Sequence, residues 1–253
     1  MHHVLAQVTG VVDTHDVAQT GAGETLFVAT RYNCLATTSP VHSFRPVWRP
    51  PFIAGIVAED RCHLNGLALE DGVAAYATAA STTDSYDAWR DDLDDGGVVI
   101  DTRNNEIVCA GLSHPHSPRV HDGLLWLLNS GRGELGCVDR AGCSRARFLP
   151  VSRLPGFTRG LAFHGHHAVV GLSRPRYDDL SVEVPGGGLA TADPWCGLQV
   201  IDLRSGHCVH WLRIDGAVRE IYDVAVLPRV ACPRSVSPAG DDGIDLITVD
   251  GMC

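Results

Sequence analysis

His15-Asp16-Val17-Ala18, Asn65-Gly66-Leu67-Ala68, Pro118-Arg119-Val120-His121, Arg159-Gly160-Leu161-Ala162 and Tyr222-Asp223-Val224-Ala225 are five versions of one strand opening. Four of them put a small residue or aspartate second and valine or leucine third; Pro118-Arg119-Val120-His121 is the outlier. Their first residues lie 50, 53, 41 and 63 positions apart, a spacing centred on the about 40 to 50 residues that a four-stranded propeller blade uses. A second apolar strand is legible after the first four: Leu26-Phe27-Val28-Ala29, Ala74-Ala75-Tyr76-Ala77, Leu124-Leu125-Trp126-Leu127-Leu128 and Ala168-Val169-Val170-Gly171-Leu172.

Working outward, the gaps hold hairpins. Gly97-Val98-Val99-Ile100-Asp101 turns through Thr102-Arg103-Asn104-Asn105 into Glu106-Ile107-Val108-Cys109, and Leu198-Gln199-Val200-Ile201-Asp202 turns through Leu203-Arg204-Ser205-Gly206 into His207-Cys208-Val209-His210-Trp211-Leu212. Apolar strand, polar turn and apolar strand is the signature of sheet. The expectation is an all-β fold, a β-propeller of five or six blades over residues 1–228. Residues 229–253 form an atypical tail: Pro228 to Gly243 is rich in proline, serine, glycine and aspartate, and only Ile244-Asp245-Leu246-Ile247-Thr248-Val249 resembles a strand, the remnant of a last blade. Two insertions, residues 39–56 with Phe44-Arg45-Pro46-Val47-Trp48 and residues 174–195 with Pro185-Gly186-Gly187-Gly188, read as rim loops.

Composition narrows the chemistry. All 20 basic residues are arginine, which removes P-loop lysines, Schiff-base lysines and Ser-Lys pairs. A formal charge of -10 offers no basic surface for nucleic acid or anionic membranes, so a small molecule or a protein is the expected partner. No apolar run reaches bilayer length and the N-terminus lacks a secretory pattern, from which a cytoplasmic protein is expected. Nine cysteines without a Cys-x-x-Cys pair fit reduced thiols rather than a disulfide framework or a zinc ribbon. Gly-x-Ser-x-Gly, His-Glu-x-x-His and a dinucleotide fingerprint are absent, so serine-hydrolase and dinucleotide chemistry fall away.

The first strand of each blade lies nearest the central channel, so equivalent positions of different blades converge. Two positions before each opening stand Asp13, His63, His116, Phe157 and Glu220; the openings themselves begin with His15, Asn65, Pro118, Arg159 and Tyr222. Imidazoles and a carboxylate in one ring suit a divalent first-row metal, with iron, copper, manganese and zinc all admissible. The expected ligands are His63, His116 and Glu220, helped by His15 or Asp223. Arg61, Arg119 and Arg159 would orient a small anionic substrate. A metal-free polar pocket is the competing expectation for the same ring. A non-catalytic propeller that binds a protein or peptide through loops 39–56 and 174–195 is the alternative function.

The chain resembles a family of uncharacterised bacterial proteins with predicted propeller folds. The resemblance is carried by Thr30-Arg31-Tyr32-Asn33-Cys34-Leu35-Ala36-Thr37, Asp60-Arg61-Cys62-His63-Leu64-Asn65-Gly66-Leu67-Ala68, Pro115-His116-Ser117-Pro118-Arg119, Leu154-Pro155-Gly156-Phe157-Thr158-Arg159-Gly160-Leu161-Ala162-Phe163 and Glu220-Ile221-Tyr222-Asp223-Val224, with further blocks at 44–53 and 170–173. It implies no activity. A fainter likeness, through Asn65-Gly66-Leu67-Ala68, is to gluconolactonase and strictosidine-synthase-like propellers, which implies a metal or ligand at the channel mouth.

Overall fold

The computed structural model describes residues 8–139, 146–174 and 194–230. Sixteen strands among the described residues build four antiparallel sheets, each ordered simply along the chain. Blade 1 is β1 (Thr14–Gln19), β2 (Thr25–Ala29), β3 (Cys34–Thr37) and β4 (Arg45–Trp48); blade 2 is β5 (Leu64–Glu70), β6 (Val73–Ala79), β7 (Gly97–Asp101) and β8 (Ile107–Leu112). Blade 3 is β9 (Pro115–His121), β10 (Leu124–Asn129), β11 (Glu134–Asp139) and β12 (Arg147–Arg153); blade 4 is β13 (Phe157–His164), β14 (His167–Ser173), β15 (Gly197–Asp202) and β16 (Cys208–Arg213). The first strands β1, β5, β9 and β13 contact one another in succession and line the centre, which makes the protein a β-propeller.

Local chemistry explains the hairpins. Asp71-Gly72 and Asp122-Gly123 all have positive φ, the conformation of the tight turn that matches strand twist, and they join the first and second strands of blades 2 and 3. Both expected outer hairpins form, and their turns are copies. The Asp101 carboxylate accepts the Arg103 N–H at 2.9 Å, the Asp202 carboxylate accepts that of Arg204 at 3.0 Å, and Asn105 and Gly206 take the left-handed position.

Blades 2 and 3 bury both faces. Leu26, Val28 and Leu35 of blade 1 meet Leu67, Ala77 and Ile100 of blade 2. Ala68, Tyr76 and Val99 on the other face of blade 2 meet Leu125, Leu127 and Val138, and Trp126, Leu128 and Leu135 meet Leu161, Val170 and Ile201 of blade 4. Adjacent residues such as Tyr76 and Ala77 serve opposite seams, the two-residue period of a strand buried on both sides.

Two expectations change. The described residues form four blades, not five or six. Tyr222-Asp223-Val224-Ala225 forms no strand, although it lies where the next inner strand belongs: the Ser173 hydroxyl donates to the Ile221 carbonyl as the Thr30 hydroxyl does to that of Leu64. Residues 45–48, expected as loop, are β4, the outermost strand of blade 1, an edge that tolerates Pro46. Most of 174–195, and the tail from 231, lie outside the described residues.

Candidate functional site

Strand pairing identifies which residues are truly equivalent. The backbone N–H of Thr30 donates to Asp13 O, that of Ala80 to His63 O and that of Ser130 to His114 O, where the chain turns from second to third strand. Asp13, His63 and His114 also share a positive φ of 54°, 50° and 47°. His114, not His116, is therefore the counterpart of His63. The blade 3 repeat begins at His116, two residues earlier than expected, and His116 is equivalent to His15, Asn65 and Arg159. Every inner strand has its bulge at this level, which rotates these side chains toward the next blade.

The result is a chamber of rings at one end of the inner strands. His15 and His63 stand edge to face at 4.7 Å; the Trp89 indole stacks on His63 at 4.0 Å and lies 6.0 Å from His114; Phe157 lies 6.1 Å from His114 and 5.6 Å from His116. The Arg159 guanidinium, on a residue only 6% exposed, covers the Tyr222 ring at 4.2 Å. Trp89 comes from a short 3-10 turn, Ala88–Asp91, in the connection between β6 and β7.

The imidazoles are electrically restrained. Burial, then the charges of His63 and Arg159, lowers His15 from 6.5 to about 4; burial and His63 lower His114 to about 4; burial, then Arg159, holds His116 well below its ordinary value. These three rings are neutral at physiological pH. Their tautomers follow from their partners. The single Thr30 hydroxyl proton goes to Leu64 O at 2.6 Å, so His15 Nδ1, 2.8 Å from Thr30 Oγ1 and 3.0 Å from Asp13 O, is the donor. His116 Nδ1 donates to His114 O at 2.8 Å, and His63 Nδ1 to the Asp60 carboxylate at 2.6 Å. In each neutral ring the lone pair is therefore on Nε2, which bonds to no other described residue.

Among the residues named from sequence, the structure gathers His15, His63, His116 and Arg159. Glu220 keeps the register of His63, since the Arg174 N–H donates to Arg219 O as the Ser81 N–H does to Cys62 O, and its charge also acts on Cys196. Arg61 is committed to Glu59 at 2.8 Å and Asp84 at 2.8 Å. Arg119 lies deeper, bound to Asp16 at 2.8 Å and Asp223 at 3.5 Å; burial opposes its charge, but the two carboxylates hold it above the ordinary value. The sequence reading missed His114, Trp89 and Asp60. His114-Pro115-His116 offered a signal, since two imidazoles flank the strand start; Trp89 offered none. Among the described residues no three histidine, cysteine, aspartate or glutamate side chains come together closely enough to grip one ion, although imidazole nitrogens are donors that suit a metal. The described cysteines are free thiols, and burial raises Cys34 to about 12. No helix among the described residues is long and apolar enough to cross a membrane.

Radial four-stranded sheets around a polar, ring-lined centre define a β-propeller with a chamber at its channel. The chain belongs to the DUF4915 family, a domain of unknown function, whose match covers residues 3–236. Among solved structures it is similar to the computationally designed Ika8 protein (10% identity, TM-score 0.45, 85% of this chain and 52% of that one). It is also similar to Kuenenia stuttgartiensis hydrazine synthase (12%, 0.44, 85% and 52%) and to the β-propeller domain of Myceliophteria thermophila Cps50 (Swd1) (10%, 0.47, 84% and 59%). The chain thus spans between half and three fifths of the length of these structures. No curated protein matches it.

Proposed function

We propose that the imidazole chamber is the functional site, that it takes a divalent first-row metal through Nε2 atoms of His15, His63 and His116, and that a small anionic molecule is transformed beside it. The observation that carries this reading is the orientation of the rings. Each Nδ1 is tied to a carbonyl, hydroxyl or carboxylate, which fixes the ring and leaves the Nε2 lone pair directed elsewhere, the outer-sphere arrangement that supports metal-ligating histidines. Burial keeps His15 and His116 unprotonated, as ligation requires. A bound metal would supply Lewis acidity for hydrolase, lyase or oxygenase chemistry. Arg159 supplies the positive charge for the anion, while the Arg61 and Arg119 guanidinium groups serve neighbouring carboxylates.

Titration of tag-free, chelator-stripped protein with Mn2+, Fe2+, Cu2+ and Zn2+, followed by elemental analysis, tests this. One ion retained per chain, and its loss in His15→Ala with His63→Ala, is the expected result. No retention by the native chain, or equal retention by the double variant, removes the metal.

A second reading has one observation behind it. A groove of about 530 Å3 lies between blades 1 and 2, lined by Arg45, Trp48, Asp71 and Thr102, where a peptide could dock on the rim. Trp48 is held there by Nε1 donating to Asn105 Oδ1 at 2.8 Å. Copurification of a protein that survives His63→Ala and is lost on Trp48→Ala would favour it.

A further inference from the structure

Buried polar groups in folded proteins nearly always have partners, because an unmet one costs about 1–3 kcal/mol. Around the chamber this rule is broken repeatedly. Asn65 Nδ2, Trp89 Nε1, Ser130 Oγ and Thr158 Oγ1 are buried without a hydrogen-bond partner, on residues 1%, 5%, 1% and 0% exposed. Trp126 Nε1, in the core between blades 3 and 4, has none either, but these four lie at one end of the inner strands. Asn65 occupies the level of His15 and His116, and the Thr78 hydroxyl, donating to Oδ1 at 2.8 Å, turns its amide nitrogen away. A Cβ on neighbouring Gly66 would meet both Thr78 Oγ1 at 2.2 Å and Pro118 Cδ at 2.4 Å, which places this amide in the seam between blades 2 and 3. The Trp89 indole lies in the same seam, between His63 and His114. Ser130 adjoins His116, since its N–H shares the His114 carbonyl with His116 Nδ1, and Thr158 follows Phe157, whose ring touches both His114 and His116.

We propose that the seam between blades 2 and 3 is an oxyanion subsite of the chamber, in which the Asn65 amide N–H and the Trp89 indole N–H bind the carboxylate of a small substrate. The proposal rests on the chamber being the functional site, and it is independent of any metal. Two neutral N–H donors with no acceptor of their own are what a carboxylate needs, and charge-assisted hydrogen bonds to it are the stronger kind. The flat walls of His63, Trp89, His114 and Phe157 fit a planar carboxylate better than a tetrahedral anion.

The test is the indole N–H signal of Trp89 in a two-dimensional nitrogen–proton spectrum, assigned by its loss in Trp89→Phe, with EDTA present throughout. Titration with acetate and with oxalate should move that signal downfield in a saturable way. Asn65→Leu, checked for native folding by its melting curve, should weaken the response about tenfold or more, the loss of one charge-assisted hydrogen bond. An unmoved signal, or a response indifferent to Asn65→Leu, overturns the subsite. A stronger response to inorganic phosphate than to either carboxylate overturns the carboxylate assignment. Acetate binding by a protein that retains no metal would leave the subsite standing while the metal falls, so the two failures are told apart.

Discussion

The channel has two polar levels, and they are built on opposite principles. At the inner level Arg119 gives one guanidinium nitrogen to Asp16 Oδ2 at 2.8 Å and to Leu67 O at 3.0 Å, and the other to Asp16 Oδ1 at 3.2 Å and Asp223 Oδ1 at 3.5 Å. Asp16 in turn accepts the backbone N–H of Val17 at 2.9 Å and of Leu67 at 3.0 Å. Here donors meet acceptors, and blades 1, 2 and 3 and the segment after blade 4 are tied into one network. At the outer level four imidazoles sit among buried donors that meet nothing. A saturated network serves the fold; a buried network left half-answered costs stability and points to something that answers it.

The sharpest break in that contrast is Arg119→Leu. It leaves the Asp16 carboxylate, whose side chain is 4% exposed, buried with only two backbone donors, a loss of about 3–5 kcal/mol for one partner of a buried pair. Asp223→Asn touches the same arginine from a half-exposed carboxylate at 3.5 Å and should cost under about 1 kcal/mol. Urea unfolding of the two variants decides it. If Arg119→Leu costs as little as Asp223→Asn, the inner level is not what holds the blades together.

The same contrast separates what the sequence could reveal from what it could not. Strand openings, second strands and both outer hairpins were legible because they repeat apolar period and turn chemistry, which are local. The blade 3 opening was misplaced by two residues because Val120 imitates Val17 in type, while the bulge and the left-handed His114 that set the true register are tertiary. His63 was found with His15 and His116 because each lies at or just before the start of an inner strand. Glu220 was put at the level of His63 by counting positions, and the backbone pairing of Arg174 with Arg219 keeps that register. Trp89 reaches the chamber from a connection whose path no periodicity encodes, and Arg119 looked like a ligand-binding arginine because its partner Asp16 is 103 residues away in sequence.

Acid should expose the outer level. His15 titrates near 6.5 unfolded and about 4 folded, held down by burial and by His63 and Arg159, and opposed by Asp13 O and Asp60. Between those values the unfolded chain binds a proton that the folded ring refuses. The stability is present in full above 6.5, is lost as pH falls toward 4, and changes no further below it. One such ring gives a loss of about 2 kcal/mol between about pH 7 and about pH 5. Urea midpoints at the two pH values should therefore fall, and His15→Gln should fall less. An identical pH response in that variant would mean the ring is not held neutral by its surroundings. Acetate, if it occupies the seam, should lessen the loss, because an anion beside the imidazoles favours their protonated form.

The finest comparison sets two hydroxyls in equivalent places. Thr30 and Ser130 each open the 3-10 turn after a second strand, the turns ending in left-handed Asn33 and Gly133. The Thr30 hydroxyl bridges Leu64 O and His15 Nδ1, so Thr30→Val strands a buried carbonyl and should cost about 1–3 kcal/mol. The Ser130 hydroxyl has no hydrogen-bond partner, so Ser130→Ala should cost under about 1 kcal/mol or stabilise the fold, since no bond is lost. Equal costs in urea unfolding would show that Ser130 is as well satisfied as Thr30 and would erase the contrast at this position. If Ser130→Ala keeps full stability yet weakens the acetate response of the Trp89 indole, its hydroxyl belongs with Asn65 and Trp89, and the carboxylate is held from both sides of His116.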